Sequence, residues 1–248
     1  MTSTSRSHPK LFSSFLLPAT ILTVVLLAFV PVAFGQAGDP GGDTVSKDLS
    51  LDLGKGVSMK LVHIPAGKFK MGNHDTPAET IKKVGGKEEH LTDEYPAHEV
   101  TISKPFYMGI YELTQAQWTA VMGTKPWMTH KLGKQGSARR YASAQPRPEG
   151  FDDYPAVWMS SYDAIEFCRK LSKKTGRTVS LPTEAQWEYA CRAGSTTTFS
   201  FGDELSKLID HGWYGGLATG QKEDYAHRVG RRKPNAWGLY DMHGNVWE

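Results

Sequence analysis

The sequence predicts an irregular α+β domain with much loop. Three observations predict it. Hydrophobic residues make up 39% and aromatic residues 11% of the 248-residue chain, which excludes a disordered polymer. Stretches of helical periodicity are few and short, and each opens on a hydroxyl residue and closes on glycine. Between them lie short runs of alternating apolar residues bounded by Gly, Pro and polar clusters, the pattern of strands joined by turns. A helical bundle or a doubly wound sheet needs longer periodic segments than these.

The chain opens as an export signal. Residues 1–10 carry Arg6 and Lys10 and no acid, and 11–34 carry no charge at all. Ala33-Phe34-Gly35 and Gly35-Gln36-Ala37 each place small residues where a signal peptidase cuts. A leader over 1–36 is therefore expected. An uncleaved anchor is the alternative, because the run is long enough to span a bilayer; the membrane would then be touched only through this segment. Either way the rest is expected to be exported, to the periplasm, the cell surface or the medium. Residues 37–56 are rich in Gly, Asp and Ser and read as a linker. The domain proper is expected over 57–248, long enough for one core.

Val57, Met59, Leu61 and Ile64 alternate roughly and are closed by Pro65-Ala66-Gly67, which predicts a strand, a turn and a second short strand through Phe69 and Met71. Residues 73–97 are polar and punctuated and read as loop. Val100, Ile102, Phe106, Met108 and Ile110 mark a second β unit. Thr114 with Gln117 forms a capping box, followed by a helix through Trp118 that stops at Gly123. Thr183 with Gln186 repeats the device ahead of Trp187, and that helix is expected to stop at Gly194. Two independently capped helices explain the echo of TQAQW in TEAQW without an internal duplication. Between them, SSYDAIEFCRKLSKKTG (160–176) predicts a helix with Ala164, Ile165, Cys168 and Leu171 on its buried face. Residues 123–156 read as a long solvated loop with six Lys/Arg before its acids.

The residues exclude several chemistries. The 29 basic and 26 acidic side chains nearly balance, so no nucleic-acid partner is implied. There is no G-x-S-x-G, no phosphate-binding loop and no H-E-x-x-H helix. His90 and His98 stand near Asp93, Glu94 and Glu99 without the spacing of a defined metal site. Asp203 and Glu204 make a weak acid/base pair. The two cysteines, Cys168 and Cys191, each lie on the apolar side of a helix, where an inert buried thiol is the ordinary state. Asp241, Gly244, Val246 and Glu248 offer two carboxylates and two backbone carbonyls, a mixture that suits calcium. On the residues alone, an ordinary turn with two exposed acids is the better explanation of that pattern.

Four segments share a resemblance. KLVHIPAGKFKMG (60–72), KPFYMGIYELTQAQWTAVMG (104–123), SLPTEAQWEYACRAGSTTTFSFGD (180–203) and NAWGLYDMHGNVWE (235–248) resemble, in family order, the formylglycine-generating enzyme (sulfatase-modifying factor) family. The resemblance implies an irregular α+β fold related to C-type lectin folds, with little regular secondary structure. It implies an oxidase that converts a sulfatase cysteine to Cα-formylglycine with copper and oxygen, the sulfatase polypeptide being its partner. It also implies a structural calcium at Asp241, Gly244, Val246 and Glu248. In the family the paired catalytic cysteines follow the last of these segments, so the sequence is expected to be incomplete at its carboxyl end, with copper bound only by a full-length form. In members with disulfides, cysteines placed like Cys168 and Cys191 pair with partners near that end. AVWMSSYDA (156–164) departs from the family pattern, with Tyr162 standing near a usual Trp. A non-catalytic, lectin-like binding or surface-assembly module of the same superfamily is the alternative reading.

Overall fold

Leu49, Leu51 and Leu53 alternate along LSLDLG and make a strand where a linker was expected. The computed structural model describes residues 29–31, 47–84, 87–129, 151–213 and 226–248. The rest of the expected leader, most of the basic loop (130–150) and residues 214–225 lie outside the described residues. Strands β1 (Phe29–Pro31), β2 (Asp48–Gly54), β3 (Val57–Ile64) and β6 (Phe106–Gly109) form an antiparallel sheet in the order β1-β6-β3-β2. Strands β4 (Gly67–Met71) and β5 (His98–Ile102) form a separate antiparallel pair. The linker assignment is thus corrected over 48–54. The Gly and Asp residues flanking this strand hid a period-two pattern whose Leu51 and Leu53 are buried.

The larger sheet is buried on both faces, which is why β6 is buried at all four residues. On one face Leu51, Leu53, Met59, Leu61 and Tyr107 pack with Trp118, Phe167, Cys168 and Leu171. On the other, Val62, Ile64, Phe106 and Met108 pack with Tyr189, Ala190, Cys191, Leu239 and Met242. The helices supplying those side chains form where local chemistry directs them. Helix α2 (Gln115–Met122) starts at the Thr114/Gln117 capping box and ends at Gly123 with φ +72°. Helix α4 (Ser161–Thr175) starts at a Ser160/Asp163 box and ends at Gly176, φ +68°. Helix α5 (Glu184–Arg192) starts at the Thr183/Gln186 box. Its left-handed terminal residue is Ala193, followed by Gly194, so the stop falls one residue earlier than expected. Short helices α1 (Pro77–Val84), α3 (Pro126–Thr129) and α6 (Leu208–His211) complete the set.

Three expectations are corrected. Residues 73–97 are not all loop: α1 (Pro77–Val84) and two 3₁₀ turns occupy much of the stretch. Its start was written in the sequence as Thr76-Pro77-x-Glu79. Thr76 N–H donates to the Glu79 carboxylate and Glu79 N–H to the Thr76 hydroxyl, with Pro at the first helical position. On α4 the buried face runs through Phe167, while Ile165 is 56% exposed. Helix α3 interrupts the start of the expected long loop. Among the described residues no helix is long and apolar enough to cross a membrane.

Candidate functional site

The carboxyl-side segment is tied to the domain before it reaches the expected calcium residues. Asn235 Nδ2 donates to the carbonyls of Ala190 and Cys191 at the end of α5, and its Oδ1 accepts from the N–H groups of Trp237 and Leu239. Tyr240 N–H then donates to the Ile110 carbonyl beyond β6. The chain next makes a tight loop in which Asp241 (φ +60°), Gly244 (φ +137°) and Asn245 (φ +91°) all hold positive φ. Gly244 is required on steric grounds as well: a Cβ there would lie 2.0 Å from the Trp213 carbonyl oxygen. Asn245 N–H donates to that same oxygen at 2.8 Å. The Trp213 ring, stacked on His227 with centroids 3.5 Å apart and capped by the Arg232 guanidinium at 3.6 Å, walls this side.

Asp241 is not an exposed turn residue. It is 2% exposed. Its Oδ2 accepts from Gly230 N–H at 2.7 Å, while its Oδ1 is buried with no hydrogen-bond partner. A buried carboxylate oxygen left without a donor is uncommon and calls for a cation or a proton. Burial raises the Asp241 pKa to about 6, against the pull of the Gly230 N–H and the Arg232 charge. Glu248 is exposed as a residue, but its carboxyl is turned inward, where Trp187 Nε1 donates to Oε2. The burial that governs its charge is that of the carboxyl, which raises the pKa to about 8, with the Asp241 charge adding to the rise.

A third carboxyl, Glu112, escaped the sequence reading. It is 1% exposed at the end of the FYMGIYEL run. Its Oε2 accepts from Asn245 Nδ2 at 2.6 Å and its Oε1 from Val246 N–H at 3.2 Å. Burial, then the Asp241 and Glu248 charges, push its pKa well above the usual carboxylate range. The available signal was a charged residue in an otherwise apolar buried run, just ahead of a capping box. The structure therefore gathers Asp241, Gly244, Val246 and Glu248 in one loop and adds Glu112 behind it. Among the described residues no three His, Cys, Asp or Glu side chains are arranged to hold a metal by themselves. A cation here needs the backbone carbonyls of Gly244 and Val246 as well as the carboxylates.

Other candidates separate. Glu94 accepts from Asn73 and Glu99 pairs with Lys68, so the acids near His98 turn to different partners. Asp203 accepts from the Thr198 N–H and hydroxyl, while Glu204 pairs with Lys207. Cys168 and Cys191 are free and lie in opposite core clusters, one on each face of the sheet. Burial pushes each thiol up to about 12. Neither is a reactive thiolate at neutral pH, and the pair does not fit a copper site, which needs soft ligands close together.

The sheet, the capped helices on its two faces and the loop closing against α5 are those of an irregular α+β domain of the formylglycine-generating type. A solved structure of PvdO from Pseudomonas aeruginosa is similar, with a TM-score of 0.60 and 30% identity over 80% of this chain and 72% of that one. The formylglycine-generating enzyme of Bos taurus is 30% identical over 229 residues, 76% of this chain and 56% of that protein. The inactive C-alpha-formylglycine-generating enzyme 2 of Bos taurus is 28% identical over 80% of this chain and 72% of that protein. The family model for the sulfatase-modifying factor enzyme 1-like domain matches residues 54–248. The chain belongs to this family. It spans 56% of the length of the first of these curated enzymes.

The Asp241 carboxyl gives the site a testable pH signature in EDTA. Its folded pKa of about 6 lies above the ordinary 3.8. Between those values the folded protein holds a proton that the unfolded chain has shed. The associated stability is full below 3.8 and is lost as the pH rises through 6. The difference corresponds to about 3 kcal/mol. Asp241→Asn, which keeps the shape, should therefore compare more favourably with wild type at pH 7.5 than at pH 4 by about that amount. Urea unfolding of both proteins at the two pH values measures it; an equal difference at both contradicts the assignment.

Proposed function

We propose that the function of this family domain is oxidation of a sulfatase cysteine to Cα-formylglycine, and that these 248 residues supply its scaffold and a structural calcium loop rather than its reactive thiols. The observation that carries the reading is the family match over 54–248, which spans both faces of the sheet and the loop itself. Asp241, Gly244, Val246 and Glu248 would hold the calcium, an ion that accepts carboxylate and carbonyl oxygens together. Its charge would offset three crowded carboxyls and supply Asp241 Oδ1 with a partner. The role of this chain's own residues is to hold that loop against α5 and the sheet. We further propose export of the protein through its amino-terminal segment.

The inactive relative favours a second reading, a binding module without catalysis. One experiment separates the two. A sulfatase-motif peptide is co-expressed with the 248-residue chain and, separately, with the gene's entire reading frame, and is analysed by mass spectrometry. The 248 residues are expected to convert none of the peptide and the entire reading frame to convert its cysteine to the aldehyde. Conversion by the 248 residues would overturn the assignment of the thiols. No conversion by either would favour the binding module.

A further inference from the structure

Besides the Trp187 bond to Glu248, three groups outside the expected ligand set clamp the loop over 241–248. Trp213 supplies the first through its carbonyl, which accepts from Asn245 N–H. The segment 227–230 supplies the second. Gly230 N–H donates to Asp241 Oδ2, His227 N–H donates to Asn245 Oδ1 at 2.7 Å, and Asn245 Nδ2 donates to the His227 carbonyl. Glu112 supplies the third, and it alone is a buried carboxyl side chain from a segment more than a hundred residues away in sequence.

These contacts fix peptide planes. In a trans peptide the N–H and C=O groups point in opposite directions, and the cis bond among the described residues is Tyr95–Pro96, outside this loop. The Gly244–Asn245 peptide aims its N–H at Trp213, so the Gly244 carbonyl points away from Trp213. The Asn245–Val246 peptide aims its N–H at Glu112. Asn245 sits at φ +91°, a conformation that an L residue holds only when its surroundings impose it. Glu112 imposes it at two points, the backbone N–H of Val246 and the side-chain amide of Asn245. Here the two donors reach the two different oxygens of the Glu112 carboxyl. A carboxylate offers both, whereas a glutamine offers one oxygen and one NH₂. Glu112 thus enters the loop through hydrogen bonds to Asn245 and Val246.

We infer that Glu112 is a positioning residue for cation binding: it locks the Asn245–Val246 turn so that the Gly244 and Val246 carbonyls and the Asp241 and Glu248 carboxylates converge on one divalent ion. This rests on the calcium reading above. It goes further in assigning the selectivity of the loop for its bound state to a side chain outside the loop. Preorganisation of this kind lowers the cost of binding without adding a contact to the ion.

The test is calcium titration calorimetry on the EDTA-stripped 248-residue chain, alongside melting in EDTA. Glu112→Gln is expected to bind calcium at least tenfold more weakly than wild type. A merely structural role would lower the melting temperature in EDTA and leave the affinity of the folded protein unchanged; that result overturns the inference. If Glu112→Gln does not fold, Glu112→Asp is read instead. It keeps both oxygens on a shorter arm and is expected to bind more weakly than wild type, and equal affinity overturns the inference. Wild type that binds no calcium overturns the calcium reading and the inference together. Wild type that binds while Glu112→Gln binds equally well overturns only the inference.

Discussion

Gly244→Ala is expected to destabilise the domain by about 3 kcal/mol or more, since overpacking and an imposed backbone strain add. A Cβ at this position meets the Trp213 carbonyl at 2.0 Å, with the Trp213 carbonyl carbon at 2.9 Å. Those are backbone atoms, held by the Asn245 N–H bond, and they have no flexible end that can swing aside. The residue also sits at φ +137°, open in practice to glycine alone. The loop can relieve the clash only by withdrawing from Trp213, which breaks the Asn245 bond and disperses the carbonyls around the proposed ion. Gly194→Ala is the matched control. It too has positive φ (+85°), but a Cβ there meets nothing within 4 Å. Its cost should be limited to the left-handed backbone, about 1–2 kcal/mol. Urea unfolding of the two variants checks the contrast; equal costs would show that the approach to Trp213 is loose.

Trp118→Ala should cost about 3–5 kcal/mol, the range for a large aromatic removed from a packed core. Trp118 is 1% exposed and stacks on Phe167 with centroids 5.6 Å apart and planes 10° from parallel. The pair joins α2 to α4 over one face of the sheet. The indole Nε1 donates to the Thr124 hydroxyl at 3.1 Å just beyond the end of α2, so the truncation also removes that bond. A domain is stable by only about 5–15 kcal/mol in total, so this one substitution takes a large share. Thermal or urea unfolding measures it. Loss below 1 kcal/mol would mean that the α2–α4 contact is dispensable.

The three capped helices were legible in the sequence because a capping box is local chemistry, complete within four residues. The α4 face was read less well. Ile165 and Phe167 both lie close to the apolar stripe, and only the packing against Trp118 decides which of them turns inward. Strand β2 was missed because Asp48, Asp52 and Gly54 mask three alternating leucines. Helix α1 was missed although Thr76, Pro77 and Glu79 announced it. The calcium candidates were found through family resemblance, since two acids and two carbonyls in a turn carry little signal alone. What no local pattern could show is that Asp241 is buried with one oxygen unpartnered. That fact depends on the fold, which also brings Gly230 N–H to the other oxygen. Glu112 showed in the sequence only as a charge in an apolar run, since its two donors lie 133 and 134 positions away.

The most direct measurement of the central claim is thermal unfolding of the EDTA-stripped 248-residue chain with and without calcium, compared with Asp241→Ala. A ligand that binds only the folded state at about a hundred times its dissociation constant adds about 2.7 kcal/mol. For a domain of this size that is a rise of several degrees in the melting temperature. Wild type is expected to show that rise with millimolar calcium, and Asp241→Ala to show none. A wild-type melting temperature that does not move with calcium, or one that moves equally in Asp241→Ala, would contradict a cation site at this loop.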